Sequence, residues 1–142
     1  MDVAPLPPPP PAVVRPLRVA GQLTPGWNTV FWMAWAGIVA GLVGVWYSAR
    51  VTGFSTWWLG PEAQPRSIVV SLVPFIAPIG VALAGLRSVR RLPLWGCLAA
   101  LVTAIVGAAD LPRVAGYGVA ELVLAAAGLL VSTACFAGLL RR

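Results

Sequence analysis

Hydrophobic residues along this chain fall into four long blocks separated by short polar segments. The blocks span about residues 29–49, 68–86, 92–109 and 119–140, so each holds 18 to 22 residues. A helix rises about 1.5 Å per residue, and about 20 residues therefore cross a hydrocarbon core of about 30 Å. Membrane strands would instead alternate over about ten residues, and the blocks show no such alternation. The pattern predicts an all-α bundle of four transmembrane helices.

The first 26 residues have a different composition from the rest. Eight of them are proline, which fixes φ repeatedly and removes backbone donors, so polyproline II or disorder is expected there. The sequence thus divides into a proline-rich cytoplasmic tail over residues 1–26 and a four-helix transmembrane domain over residues 27–142.

Arginines in the connecting segments predict the orientation of the bundle. The side that holds both termini and the second loop carries seven arginines, and the other side carries three: Arg50, Arg66 and Arg113. Cytoplasmic segments carry the excess of basic residues. We therefore expect a multi-pass protein of the cell inner (plasma) membrane with both termini in the cytoplasm.

Composition excludes several classes of function. Only 10% of residues are charged, against about 25% in soluble domains. The chain has no His, the usual ligand for haem iron and other metals, so no metal site and no cofactor is expected. The net charge of +6 indicates lipid phosphates rather than nucleic acid, because the arginines lie at the ends of apolar blocks. Anionic headgroups are expected at Arg87, Arg90, Arg91, Arg141 and Arg142.

Aromatic residues cluster where the helices are expected to meet the two membrane surfaces. Indole rings prefer such interfaces. We expect membrane-interface anchors at Trp27, Trp32, Trp46, Trp57, Trp58 and Trp95.

Small residues recur at helical spacing in three blocks. Such stripes let helix backbones approach closely, which replaces the hydrophobic drive that lipid cannot supply. Four helices cannot turn every stripe inward, so some are expected to contact a partner. The predicted packing or partner positions are Ala34, Gly37, Gly41 and Gly44, Gly96, Ala100 and Ala104, and Gly128 and Ser132.

Glu121 is the acidic residue that comes nearest to the membrane interior. A fourth helix starting near Val119 places it in the first turn, where it meets interfacial water and the positive end of the helix dipole; this is the expected position. A start at Val114 would place it about 10 Å deeper, where an ionisable group is a functional candidate. Pro74 and Pro78 in the second block are expected to bend that helix, either as a static kink or as a transport hinge.

The sequence carries no phosphate-binding loop, no nucleophile elbow and no acidic cluster for a divalent metal, so we expect the protein not to be an enzyme. The favoured interpretation is a non-catalytic accessory or scaffold subunit of a larger inner-membrane complex, such as a respiratory-chain or cell-envelope assembly, with other integral membrane subunits as partners. The alternative is a small homo-oligomeric transporter or channel that uses Glu121 and the Pro74/Pro78 kink. An enzyme of lipid metabolism comes third.

Overall fold

A computed structural model describes residues 19–140. Within that range the chain forms four helices, α1 (Pro25–Thr52), α2 (Ile68–Leu86), α3 (Leu92–Asp110) and α4 (Ala115–Ala134), and a 3-10 turn, Cys135–Gly138. All four helices are long and apolar enough to cross a membrane. The prediction of a four-helix, multi-pass membrane protein is therefore confirmed. The tail before residue 19 and the last two arginines lie outside the described residues.

α1 extends beyond the predicted apolar block at both ends. Pro25 occupies its first turn, where the fixed φ of proline suits a helix and its missing N–H is no loss. Gly53, with φ of 74°, ends the helix and donates its backbone N–H to the carbonyl of Ala49. The 28 residues correspond to a length of about 42 Å, so the ends of α1 project past the hydrocarbon.

α4 begins at Ala115, four residues before the predicted start at Val119. The added turn contains Gly116 and Gly118, whose low hydropathy hides the helix from a count of apolar residues. At its other end the helix tightens into the 3-10 turn, and residues after it are no longer helical. The helical span therefore ends at Gly138, close to the predicted end at about residue 140.

The bundle core is built from large side chains of α1 and small ones of α3. Phe31, Trp35 and Ile38 on α1 pack with Leu92 and Ala99 of α3. α3 and α4 share the most extensive helix contact, followed by α1 with α2. The result is a bundle in which α3 and α4 form a tight hairpin and α1 covers it with aromatic side chains.

The two ends of the bundle differ, and we name them by their contents. The terminal end holds residues 19–24, the 87–91 turn and residues 135–140. Leu23 and Leu139 form a β-bridge there, and Arg91 donates its backbone N–H to the carbonyl of Gly21 (2.8 Å). The loop end holds the 53–67 loop and the 110–115 turn. Its loop positions the candidate site.

Candidate functional site

The 53–67 loop folds back into the loop end of the bundle. Thr56, Trp58, Leu59 and Gly60 are buried, although they lie between two membrane helices. Gly60 adopts a φ of 69° and donates its N–H to the carbonyl of Thr56 (3.0 Å). A positive φ is readily reached only without a Cβ, so this glycine permits the turn that sends the loop inward.

Trp58 fills the space that the helices leave at the loop end. Its side chain is fully buried and packs edge-on against Phe75 of α2, with ring centroids 5.8 Å apart. Val45 and Val106 belong to the same buried cluster. Ser71 of α2 donates its hydroxyl to the Trp58 carbonyl (3.3 Å). The indole thus joins side chains from α1, α2 and α3.

Two buried carboxyl groups receive the N–H groups of this loop. The backbone N–H of Trp57 donates to Asp110 Oδ1 (2.7 Å), and Trp58 Nε1 donates to Glu121 Oε1 (3.1 Å). Both acidic residues are 0% exposed. We call Trp57, Trp58, Asp110 and Glu121 the carboxyl cluster. Because burial without a partner is costly for a donor and for a carboxyl alike, these bonds fasten the loop to α3 and α4.

Each carboxyl group keeps one oxygen without a partner. Asp110 Oδ2 and Glu121 Oε2 are buried and accept no hydrogen bond from the described residues. Adjacent residues of the loop bond the two carboxyl groups, so Asp110 and Glu121 lie close together beneath it, with no hydrogen bond between them. A proton held between them would make one carboxyl a donor and satisfy both oxygens. The pair therefore has the composition of a proton-holding site.

Two glycines allow the carboxyl groups to meet. A Cβ added to Gly118 would lie 2.8 Å from the carbonyl oxygen of Gly107, and one added to Gly107 would lie 2.9 Å from Glu121 Cβ. Backbone atoms cannot yield to such a contact. α3 and α4 therefore approach closely where Asp110 and Glu121 face each other, and any larger residue would separate them.

Two expectations for this region need correction. Glu121 is the seventh residue of α4 and is buried among protein atoms, so it is not the hydrated first-turn carboxylate that a start at Val119 implied. Trp58 is likewise buried in the bundle and offers no surface to headgroups. The early start of α4 moves Glu121 inward, and the inward loop carries Trp58 to it. Asp110 was missed as a site residue because it follows an apolar block and reads as a loop residue.

The other predicted interface aromatics lie nearer the surface. Trp27, Trp46 and Trp95 are exposed, and Trp32 and Trp57 are half-buried. Trp57 also donates its indole N–H to the carbonyl of Val106 (3.4 Å). The half-buried rings therefore contribute to packing as well as facing outward.

The structure divides the predicted small-residue positions between the interior and the surface. Gly96 lies against the Ser132 side chain, and Gly128 lies against Trp35 and Ile38. Ala100 is buried, while Ala104 and Ala34 are half-buried. Through these contacts α4 packs closely against both α1 and α3.

On α1 the stripe splits. A Cβ on Gly41 would lie 2.6 Å from a methyl carbon of Leu124, so this glycine serves the contact between α1 and α4. Gly37 and Gly44 are exposed, with no heavy atom within 4 Å of an added Cβ. Their side of α1 therefore faces away from the bundle.

Pro74 and Pro78 both lie inside α2 on its buried face, and the helix continues through them. Ser71, which is close enough in sequence to serve the carbonyls that proline leaves free, bonds the 53–67 loop instead. The arginines of the 87–91 turn, Arg87, Arg90 and Arg91, are exposed, whereas Arg141 and Arg142 fall outside the described residues.

Among residues 19–140, His, Cys, Asp and Glu form no group of three that could hold a metal ion. No protein-family model, curated protein or solved structure matches the chain. Contacts within the molecule are therefore the basis for a functional proposal.

Proposed function

We propose that this chain is a non-catalytic accessory or scaffold subunit of a larger inner-membrane complex, for example a respiratory-chain or cell-envelope assembly. In this role it acts without a cofactor, both termini lie in the cytoplasm, and the proline-rich tail contacts a partner. The seven arginines assigned to the terminal side support that orientation.

The outer face of α1 is the observation that carries the proposal. Positions spaced alternately by three and four residues are exposed along almost the whole helix: Val30, Met33, Gly37, Ala40, Gly44, Tyr47 and Val51. This spacing is the seam of a left-handed helix pair. Its three central positions are Gly, Ala and Gly, so a second helix could approach the backbone closely there. The larger side chains at both ends of this face would pack against the sides of that helix.

The buried carboxyl groups bond other parts of the same molecule, which supports the same role. The carboxyl cluster is occupied in holding the 53–67 loop on the bundle. Neither carboxyl lines the large apolar groove of about 680 Å³ between α3 and α4 or the groove of about 410 Å³ between α2 and α3. The molecule therefore presents apolar surface to its surroundings and keeps these carboxyl groups inside.

Mild-detergent purification of the tagged full-length chain from its native membrane tests the proposal. Large membrane subunits should co-purify in fixed stoichiometry. Gly37→Leu and Gly44→Leu should release them while the chain stays folded, because neither position touches the bundle. Gly116→Leu is the matched control, since it too is open and lies away from α1. Gly41→Leu is unsuitable because it would push against Leu124.

Two results would contradict the scaffold role. The wild-type chain could emerge alone or only with copies of itself. Alternatively, the subunits could remain bound to both leucine variants of α1 as firmly as to the wild type.

A small homo-oligomeric transporter is the second candidate, and the unpartnered oxygens of Asp110 and Glu121 favour it. Ionisable groups buried in membrane helices often carry protons or ions, and Pro74 and Pro78 would supply a hinge. On this alternative Glu121→Gln abolishes transport while the protein stays folded, because the amide keeps the shape but cannot exchange a proton. A folded Glu121→Gln chain that transports as well as the wild type would exclude it.

A further inference from the structure

A shallow apolar groove runs between α2 and α3 and opens on the membrane-facing surface. Its volume is about 410 Å³. Ile76, Gly80 and Ala84 contribute one wall, and Trp95, Leu98 and Val102 contribute the other. Gly80 has no side chain, and no heavy atom lies within 4 Å of an added Cβ. The groove is therefore open where this glycine lies, and its lining is almost entirely apolar.

The groove ends at the 87–91 turn, which is rich in positive charge. Val89 of this turn lines the groove, and Arg87, Arg90 and Arg91 around it are exposed. The turn is fixed by backbone bonds, from Val89 N–H to the Ala84 carbonyl (3.3 Å) and from Arg91 N–H to the Gly21 carbonyl. The turn that ends the apolar groove thus carries three exposed arginines, which flank Val89 in sequence.

Nothing acidic among residues 19–140 lies near these arginines. The three acidic residues of that range, Glu62, Asp110 and Glu121, all lie at the loop end or in the adjoining part of the bundle. The mouth of the groove is therefore complementary to an anion. Guanidinium groups bind phosphate through paired N–H donors.

We propose that this groove is a binding site for an anionic phospholipid. One acyl chain lies against Gly80 and Leu98, and the headgroup phosphate meets Arg87, Arg90 and Arg91. Basic pockets between membrane helices select anionic headgroups in this way, and the exposed Trp95, in the first turn of α3, is a residue type that favours the membrane interface. A partner helix would need anionic residues at the same depth, whereas a phospholipid supplies both parts of the ligand in one molecule. The site is independent of the scaffold role.

Lipid titration of the purified full-length chain in a neutral detergent tests the site. We expect 1-palmitoyl-2-oleoyl phosphatidylglycerol to raise the unfolding temperature and to remain bound in native mass spectra. Phosphatidylcholine with the same acyl chains should bind at least tenfold more weakly. Inorganic phosphate alone should give no shift, because it cannot fill the groove.

Paired variants separate the two halves of the site. Arg87→Gln with Arg90→Gln should weaken phosphatidylglycerol binding at least tenfold, whereas Arg66→Gln with Arg113→Gln, at the loop end, should not. Gly80→Leu should also weaken it, because leucine fills the groove, whereas Gly44→Leu on α1 should not. Should Gly80→Leu fail to fold, Ile76→Trp fills the same groove from an exposed position.

Four results would overturn the lipid site. The two lipids could bind equally, which removes the role of the arginines. Inorganic phosphate could reproduce the shift in unfolding temperature, or both groove-filling variants could bind phosphatidylglycerol like the wild type. Either result would mean that the protein binds the headgroup alone and that the groove holds no acyl chain. A chain that is dimeric through this groove in native mass spectra would show that a second copy is the occupant.

Discussion

At the scale of single residues, the carboxyl cluster is an exchange between buried donors and buried acceptors. The Trp57 amide and the Trp58 indole leave water when the 53–67 loop folds inward, and each needs an acceptor. Asp110 and Glu121 lose hydration in α3 and α4 and each need donors. The hydrogen bonds between them satisfy both donors and one oxygen of each carboxyl group. An unsatisfied buried group costs more free energy than a formed hydrogen bond contributes. Removing one partner of such a bond should therefore destabilise the protein, because the other partner stays buried and unsatisfied.

Glu121 offers a direct test of this exchange. Glu121→Gln keeps an oxygen for the Trp58 indole and nearly the same shape, so the unfolding temperature in detergent should stay close to that of the wild type. Glu121→Leu has similar bulk but leaves the buried Trp58 Nε1 without its acceptor. We expect it to lower the free energy of unfolding by about 1–3 kcal/mol.

Glu62 supplies the control for that pair of changes. It is an exposed carboxylate in the same loop, and Glu62→Leu should leave the unfolding temperature almost unchanged. Equal stability of Glu121→Leu and the wild type would mean that the hydrogen bond to Trp58 contributes nothing to holding the loop.

At the scale of helices, hydropathy predicts the number of spans but not how they meet. The four apolar blocks are continuous in sequence, so their count and type could be predicted. The start of α4 could not, because Gly116 and Gly118 are not apolar and end the hydrophobic block early; of the two, Gly118 packs against α3, whereas Gly116 is open. Asp110 and Glu121 come together only through that packing, and Trp58 reaches them only because the preceding loop turns inward. A count of apolar residues contains none of these long-range contacts.

Gly118→Ala tests the α3–α4 hairpin as an element. The new methyl group would lie 2.7 Å from the backbone nitrogen of Leu111 and 2.8 Å from the Gly107 carbonyl, so the helices must separate. Overpacking of this kind costs about 1–3 kcal/mol, and the fluorescence of the buried Trp58 should shift towards that of a hydrated indole.

Gly116→Ala is the matched control, two residues away on the same helix. No heavy atom lies within 4 Å of its added Cβ, and alanine favours a helix over glycine by about 1 kcal/mol. The unfolding temperature should therefore stay equal or rise. A fall for Gly116→Ala as large as that for Gly118→Ala would assign the effect to the helix start rather than to the hairpin.

At the scale of the whole molecule, the two ends have opposite character. The terminal end presents the exposed arginines of the 87–91 turn and ties residues 21–24 to residues 138–140 by backbone bonds. The loop end buries its two carboxyl groups beneath the 53–67 loop. The excess of basic residues follows the terminal end, and the proposed lipid site and partner face both depend on which leaflet that end meets.

Cysteine labelling in intact cells tests the orientation that this asymmetry implies. With Cys97 and Cys135 replaced by alanine, single cysteines are placed at Glu62 and at Val89, which are exposed at opposite ends. A membrane-impermeant maleimide should label Glu62→Cys in intact cells. It should label Val89→Cys only after the membrane is opened, because we expect the 87–91 turn to face the cytoplasm. The cysteine-free chain measures background labelling.

If Val89→Cys reacts in intact cells and Glu62→Cys does not, the bundle is inverted, and the arginines would meet the outer leaflet. Because an inverted bundle keeps every contact described within it, the carboxyl cluster and the outer face of α1 would remain, and only the side from which partners and headgroups approach would change.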